Sequence, residues 1–301
     1  MRNKEFKSGF VTLIGRPNVG KSTLMNALVG QKIAIMSDKA QTTRNKIQAI
    51  YTDDEAQIIF IDTPGIHKPK HALGEFMVET AFQASQGVDL VLMLVNASEA
   101  IGPGDRRILD HLRENPLPKI LLINKIDLIH PDQLLTIINS YRQEVNFDAV
   151  IPISALQEIN LEQVLQTIKS KLPIGPQYYP QDQITDHPEY FVVAEFIREK
   201  LLYFTREEIP HSIAVNVLKM RPDEEGIMSI EADIIVERKS QKGIVIGKKG
   251  QLIKKVKQLA RKDIEGLLGE KVRLNLWVKV QKDWRNHQKQ LKDLGYHPDE
   301  Y

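Results

Sequence analysis

Short continuous runs of apolar residues recur through the first half of the chain, and each is followed by a polar or glycine-rich turn. Strands that are buried on both faces of a parallel sheet typically have this pattern. The runs cover residues 10–14, 57–61, 88–95, 119–123 and 149–153.

Helical patterns lie between these runs, for example over residues 21–29 and 132–144. Strands that alternate with helices in this way indicate a doubly wound α/β domain. Ligands bind to such domains outside the carboxyl ends of the parallel strands. We therefore expect the chemistry of this half at the turns that follow the apolar runs.

A polar stretch with four prolines between residues 173 and 188 separates this half from the rest. Each proline fixes its own φ and disfavours helix at the preceding residue, so the stretch is expected to be an extended linker. The predicted organisation is a first domain over 1–174, a linker over 175–188 and a second domain over 189–301.

The second half has a different pattern and predicts a smaller α+β domain with the order α-β-β-α-α-β and a closing helix. A turn-rich segment at residues 221–226 separates its first two strands. The predicted elements are a helix at 188–204, strands at 212–219 and 227–237, helices at 242–246 and up to about 267, a strand at 272–280 and a helix at 284–294.

Composition places the 301-residue chain among ordinary soluble proteins, with 42% hydrophobic and 27% charged residues. It contains no cysteine, which excludes disulfides and thiolate metal sites. The polar start of the sequence lacks the apolar core of a secretion signal, and no apolar run approaches the length of a membrane span. We expect a cytoplasmic protein.

Charge is distributed unevenly, although the net charge is only +2. Residues 1–175 are neutral, residues 176–240 carry −6 and residues 241–301 carry +8. A basic C-terminal block indicates a polyanionic partner, and the simpler alternative is a solvated, lysine-rich helix face.

The turn after the first apolar run fits G-x-x-x-x-G-K-[ST], the pattern of a phosphate-binding P-loop. Glycines let backbone N–H groups turn toward phosphate oxygens, and the following helix adds its positive N-terminal end. The lysine would bind the β- and γ-phosphates, and the serine hydroxyl would bind Mg²⁺. The predicted nucleotide-binding residues here are Gly15, Arg16, Pro17, Asn18, Val19, Gly20, Lys21, Ser22 and Thr23.

The second apolar run ends in Asp62, Thr63, Pro64 and Gly65. An aspartate at this strand end can hold Mg²⁺ through a water molecule, and the Gly65 N–H can reach a γ-phosphate.

The fourth run ends in Asn124, Lys125, Ile126 and Asp127. The Asp127 carboxylate can accept two hydrogen bonds from the ring and exocyclic N–H groups of guanine, a donor pair that adenine lacks. Asn124 would support the loop, and the Lys125 stem would cover the base. After the fifth run, residues Ser154, Ala155 and Leu156 would bring the Ala155 N–H to the guanine carbonyl.

These motifs together resemble the translation-factor-like class of GTPases over about residues 9–170. The resemblance implies a threonine that senses the γ-phosphate and binds Mg²⁺, for which we favour Thr43 over Thr42. Ras-like GTPases place a glutamine after D-x-x-G, but this chain has Ile66 there. We therefore expect slow intrinsic hydrolysis, with His67 as a weak candidate base. We reject a metal site formed by His67 and His71.

GTPases that lack the glutamine often carry a P-loop asparagine that binds K⁺, and Asn18 has the matching position. We interpret Asn18 as the residue that could let a monovalent cation neutralise charge during hydrolysis. The predicted catalytic residues are Asn18, Lys21, Thr43, Asp62 and Gly65, and the predicted Mg²⁺ site is Ser22, Thr43 and Asp62.

The second domain contains a G-x-x-G loop between two helices, the element with which KH modules clamp about four nucleotides. Its middle residues are both lysines, and a basic stripe continues through Lys257, Arg261 and Lys262. Trp277 and Trp284 are interpreted as packing residues rather than stacking platforms. The predicted RNA-binding residues are Ile244, Ile246, Gly247, Lys248, Lys249, Gly250, Lys254 and Lys255.

Both domains together resemble the Era family of bacterial GTPases. The resemblance implies a P-loop GTPase domain followed by a KH domain of the bacterial ribosomal type. It also implies binding of GTP and GDP with Mg²⁺, binding near the 3′ end of 16S rRNA, a role in small ribosomal subunit maturation and peripheral contact with the inner membrane face. We expect a monomer that does not bind DNA.

Two other classes of function are weighed against this one. An RNA-modifying enzyme fuelled by GTP would need a second catalytic constellation, and residues 181–301 offer none. A passive RNA-binding scaffold with a structural nucleotide would not need Lys21, Ser22 and Asp62 together.

Overall fold

The computed structural model describes residues 5–37, 39, 42–65, 72–83 and 87–296. They form nineteen strands and α-helices in the described part of the chain. In order these are β1 Lys7–Ile14, α1 Lys21–Val29, β2 Ile47–Thr52, β3 Ala56–Asp62, α2 Ala72–Gln83, β4 Leu90–Asn96, α3 Pro103–Glu114, β5 Lys119–Asn124, α4 Leu134–Arg142, β6 Ala149–Pro152, α5 Leu161–Lys171, α6 Glu189–Phe204, α7 Ile209–Ser212, β7 Ala214–Pro222, β8 Met228–Val236, α8 Lys239–Ile246, α9 Gln251–Leu268, β9 Val272–Val280 and α10 Gln288–Asp293.

The chain divides into two compact units, which do not follow the sequence without interruption. The first contains the described parts of residues 1–34, 43–68 and 77–186. The second contains the described parts of residues 35–42, 69–76 and 187–301. The short segment 35–42 therefore belongs to the unit formed by the C-terminal half.

A six-stranded sheet with the order β2-β3-β1-β4-β5-β6 forms the centre of the first unit. The five strands predicted from the apolar runs pair in parallel, with Leu13 opposite Asp62 and Asn96 opposite Asn124. The register brings the carboxyl ends of β1, β3, β4 and β5 to one edge. The doubly wound α/β class is confirmed.

Strand β2 is an element that the apolar runs did not predict. It pairs antiparallel with β3 at the edge of the sheet, from Ile47 opposite Asp62 to Thr52 opposite Gln57. An edge strand is covered less completely than a central one, so it lacks a continuous apolar run.

The predicted linker follows the first unit closely up to residue 186. The side-chain oxygen of Gln57 accepts hydrogen bonds from the N–H groups of Tyr178 and Tyr179, at 2.7 and 2.9 Å. The Thr185 hydroxyl donates to the Gln48 carbonyl at 2.7 Å. Backbone groups that cannot pair within the linker are thus satisfied by β2 and β3.

The second unit contains a three-stranded sheet with the order β7-β8-β9 and helices α6, α8 and α9 on one face. Strands β7 and β8 are antiparallel, whereas β8 and β9 are parallel. Val193, Phe196, Ile234 and Ile264 are among the fully buried residues of its core. The predicted α-β-β-α-α-β order is confirmed, with the additional short helix α7.

Two predictions for the C-terminal half are wrong. The helix expected over 284–294 is a 3₁₀ turn, Trp284–Asn286, followed after His287 by the short α10. Trp284 is buried and donates to the Ser212 carbonyl at 2.9 Å, as a packing residue does. Trp277, however, is 46% exposed because it lies on the sheet face opposite the helices.

No helix in the described part of the chain combines the length and the apolar character that crossing a bilayer requires.

Candidate nucleotide site and nucleic-acid interface

The predicted phosphate loop is the tight turn between β1 and α1. Asn18 has φ +63° and Gly20 has φ +102°, both in the left-handed region that glycine adopts most easily. A Cβ on Gly65 would lie 2.7 Å from the Pro17 Cα, so only glycine allows the two loops to approach this closely. The first turn of α1 has no side-chain cap, and its N–H groups remain suited to an anion.

Lys21 is buried inside this loop. Its ammonium donates to the carbonyls of Gly15 and Arg16, both at 3.1 Å. Burial lowers the pKa of Lys21, and the charge of Asp62 acts in the opposite direction. The side chain is therefore held within the loop, where a bound phosphate would supply further negative charge.

Three oxygen-bearing side chains meet beside Lys21. The Ser22 hydroxyl donates to Asp62 Oδ2 at 2.6 Å, and Thr43 Oγ1 lies 3.1 Å from Ser22 Oγ and 3.3 Å from Asp62 Oδ2. Thr42 lies elsewhere, since its hydroxyl donates to the Lys39 carbonyl at 2.6 Å. The structure thus brings Thr43 to the cluster, and its role as a metal ligand remains a prediction.

The environment of Asp62 fits a divalent cation. Burial raises the pKa of Asp62, while Lys21 and the hydroxyls of Ser22 and Thr43 lower it. Its Oδ1 atom is buried without a hydrogen-bond partner. Hard oxygen ligands of this kind suit Mg²⁺, which keeps several waters and needs few protein ligands. Within the described ranges no group of three His, Asp or Glu residues could hold a metal, so a cation here would need the hydroxyls of Ser22 and Thr43 as well.

The predicted base-binding loop is held by Asn124. Its side-chain amide donates to the Val19 carbonyl at 2.8 Å, and its oxygen accepts the Ala155 N–H at 2.9 Å. The Lys125 ammonium donates to the Asn18 carbonyl at 2.7 Å. Asn124 therefore joins three separate loops that sequence analysis assigned to one ligand.

The remaining base-site residues lie around this anchor. Asp127 is exposed within a 3₁₀ turn, Ile126–Leu128, where its carboxylate can face a ligand. Ser154 is buried and its hydroxyl accepts the Gln157 N–H at 3.2 Å. Leu156 is exposed.

The Arg16 side chain interacts with α3 and with the turn before it rather than with the centre of the phosphate loop. Its guanidinium bonds Asp105 at 2.9 Å and Glu99 at 2.7 Å. Asp105 also accepts the Gly102 N–H at 2.9 Å. Sequence analysis missed Asp105, although a proline followed by an acidic residue in the first turn of a helix is a capping signal.

The other P-loop and D-T-P-G residues surround the same turn. Val19 and Pro64 are buried, Thr23 is half-buried, and the buried Thr63 hydroxyl donates to the Leu13 carbonyl at 2.8 Å. The predictions that concern Ile66, His67 and His71 lie outside the described residues.

The G-x-x-G loop of the second unit connects α8 to α9. Gly247 and Gly250 have φ of +75° and +74°, and a Cβ on Gly247 would lie 2.7 Å from the Leu252 Cβ. Lys248 and Lys249 are both exposed at the tip. The loop therefore presents two ammonium groups on a backbone turn that glycine makes possible.

Further predicted RNA-binding residues extend from this loop. Ile244 is exposed and Ile246 is half-buried on α8. The exposed side chains of α9 are predominantly basic. They include Lys254, Lys255, Lys257, Arg261 and Lys262.

Two family models match the chain, one in each unit. The model described as 50S ribosome-binding GTPase matches residues 10–125, and the KH domain model matches residues 208–285.

Solved structures extend the similarity over nearly the whole chain. An Era variant from Aquifex aeolicus bound to GDP and AlF4− is 42% identical, with a TM-score of 0.94 and coverage of 97% of this chain and 99% of that one. Era in complex with MgGDPNP and nucleotides 1506–1542 of 16S ribosomal RNA has the same identity and coverage and a TM-score of 0.93. The chain therefore belongs to the Era family of GTPases, in which a GTPase domain precedes a KH domain.

Proposed function

We propose that this chain uses GTP hydrolysis to control its binding near the 3′ end of 16S rRNA and so assists assembly of the small ribosomal subunit. The observation that carries the proposal is the presence in one chain of two anion sites. Ser22, Thr43 and Asp62 meet beside Lys21, and the loop of Lys248 and Lys249 opens on a basic helix. The related complex with a 16S rRNA fragment supports the choice of RNA.

Different residues of the first unit bind the phosphates, the metal ion and the base of the nucleotide. The Lys21 ammonium binds the β- and γ-phosphates, and the N–H groups from Gly15 to Ser22 surround their oxygens. Ser22 and Thr43 would hold Mg²⁺, with Asp62 acting through water, and the ion would neutralise charge that develops on the phosphates. Gly65 donates its N–H to the γ-phosphate, and Asp127 selects guanine.

Asn18 would hold K⁺ next to the phosphates, and the ion would supply further charge stabilisation there. The position of Asn18 at the left-handed turn of the loop supports this role. GTP hydrolysis is measured in equal concentrations of K⁺ and Na⁺ for the unchanged chain and Asn18→Ala. Faster hydrolysis in K⁺ that is lost in the variant supports the role, whereas equal rates in both salts contradict it.

The γ-phosphate acts as the signal between the two sites. GTP orders the segment around Thr43, and this change makes the groove beside Lys248 accessible to RNA. The stretch after Gly65, which we expect to take part in the same switch, lies outside the described residues. The test is RNA crosslinking with GTP and with GDP, with Lys248→Asp/Lys249→Asp as the control. Equal RNA affinity in both nucleotide states would show that the switch does not exist.

The proposal also covers the location, the oligomeric state and the domain limits of the protein. We place it in the cytoplasm as a monomer with domains at 1–174 and 189–301, the linker at 175–188, no affinity for DNA and a peripheral contact with the inner membrane face. Cell fractionation and light scattering of the purified chain test the location and the oligomeric state.

A further inference from the structure

The last turn of α6 presents an aromatic side chain to solvent. Tyr203 is 76% exposed, although the residues just before it, Leu201 and Leu202, are buried. Its ring contacts Phe204 edge to face, with centroids 4.9 Å apart and planes at 89°. Phe204 packs against the core of the second unit, so the Tyr203 ring contacts a side chain that is itself held in place.

A basic residue of α9 reaches the same place. The Lys255 ammonium lies 4.8 Å from the centre of the Phe204 ring. Lys255 follows Gln251, the first residue of α9, by four positions, which corresponds to about 6 Å along the helix axis. Lys255 is therefore one helical turn from the G-x-x-G loop, and its ammonium reaches the aromatic pair of α6.

We propose that Tyr203 and Lys255 form an additional subsite for single-stranded RNA, in which one nucleobase stacks on the Tyr203 ring and Lys255 contacts the adjoining phosphate. This inference rests on the proposed RNA-binding function and extends it. An aromatic face beside a basic groove is the combination that binds single strands without base preference. A KH loop holds about four nucleotides, so a longer strand needs contacts beyond it.

The charge of the surroundings favours RNA over a protein partner. Residues 241–301, which include all of α9, carry a net charge of +8. Lys254 and Lys255 are exposed at the start of this helix, next to Lys248 and Lys249 of the loop. Lys255 is the residue of this basic helix whose ammonium reaches the aromatic pair of α6, so a phosphate bound by it would lie close to that pair.

The test compares a four-nucleotide RNA, which fits the loop alone, with a ten-nucleotide RNA that contains it. Affinities are measured for the unchanged chain, Tyr203→Ala, Tyr203→Phe and Tyr190→Ala. Tyr190 is the matched control because it is 56% exposed in the first turn of the same helix. Lys248→Asp/Lys249→Asp is the reference for loss of the main site.

We expect Tyr203→Ala to weaken binding of the ten-nucleotide RNA about 5- to 100-fold, the effect of removing one stacked base. Tyr203→Phe keeps the ring and is expected to stay within about twofold of the unchanged chain, as is Tyr190→Ala. The four-nucleotide RNA should bind all three tyrosine variants equally.

Two failures can be distinguished. If Tyr203→Ala binds the longer RNA as tightly as the unchanged chain while the double lysine variant loses it, the subsite is overturned and Tyr203 is left for a protein contact. If the unchanged chain binds neither RNA, the proposed function itself fails. Equal losses in Tyr203→Ala and Tyr190→Ala also overturn the subsite.

Discussion

Single asparagine and glycine residues hold the loops of the nucleotide site in place without a bound ligand. The nitrogen and the oxygen of the Asn124 side-chain amide form hydrogen bonds with residues that are 105 and 31 positions away in the sequence. Gly65 permits an approach to the Pro17 backbone that a Cβ would block, and a Cβ on Gly20 would lie 2.3 Å from the side-chain nitrogen of Asn124. At this scale, small side chains and amides hold in place the loops that carry the charged groups Lys21 and Asp62.

Asp127 offers a sharp test of base selection at the residue scale. Asp127→Asn replaces one acceptor with a donor, so it loses a hydrogen bond to guanine but matches the additional carbonyl of xanthine. We expect about 10- to 100-fold weaker GTP binding and stronger XTP binding, because hydrogen bonds to charged groups contribute about 1.5–3 kcal/mol. Calorimetric titration measures both affinities.

Asp132→Asn is the control for this change, because Asp132 is also an exposed carboxylate in a nearby 3₁₀ turn. It should leave both affinities unchanged. Unaltered GTP affinity in Asp127→Asn would contradict the assignment of Asp127 to the base.

At the scale of elements, sequence patterns predict buried strands better than edges and ends. Val272–Val280 coincides with its prediction because alternating apolar residues define both its limits and its register. The same period of two places Trp277 opposite the buried neighbours Leu274 and Val278, and this parity could have shown that it faces solvent. β2 escaped prediction because an edge strand carries a weaker apolar signal.

Motifs with fixed spacing located the candidate site, whereas its supports depend on contacts between distant residues. The neighbours of Ser22 and Asp62 were predicted from the order of the motifs. The Arg16–Asp105 pair connects positions 89 residues apart, and no local pattern encodes that distance. Supports of this kind can be found only in the folded chain.

Helix α6 also fixes the segment that precedes Thr43. Arg198 is 1% exposed and donates to the Thr42 carbonyl, and Glu199 accepts the Met36 N–H at 2.9 Å. Ile35 is buried in the core of the second unit. The segment is therefore anchored in the second unit and leads in the sequence to Thr43, and we predict that the response to the nucleotide has a dependence on this anchoring.

Replacing Glu199 tests this dependence. Glu199→Leu removes the acceptor for the Met36 N–H, whereas Glu199→Gln keeps an oxygen there. We expect the ratio of RNA affinities with a GTP analogue and with GDP to fall toward one in the leucine variant and to persist in the glutamine variant, since coupling energies between sites amount to about 1–3 kcal/mol. Fluorescence anisotropy with labelled RNA measures both affinities. If Glu199→Leu had the same affinity ratio as the unchanged chain, the contact between Glu199 and Met36 would not contribute to the coupling.

At the scale of the whole molecule, the two candidate sites differ in the net charge of the sequence around them. The first 175 residues are neutral overall, so nucleotide binding there depends on local geometry at Lys21. The last 61 residues carry +8, which attracts RNA over a longer range. Salt should therefore weaken RNA binding much more than it weakens nucleotide binding.

The salt dependence of RNA affinity can identify the lysines that contact phosphate. Each neutralised phosphate of a single strand contributes a slope of about −0.7 in log K against log salt. Lys248→Ala/Lys249→Ala should therefore make the slope less negative by about 1.4. Lys279→Ala is the control, because Lys279 is 61% exposed yet paired with Asp233 at 2.5 Å. The same slope in the double variant and the unchanged chain would mean that the G-x-x-G lysines do not touch the RNA backbone, and the basic face of α9 would then have to supply all of the phosphate contacts.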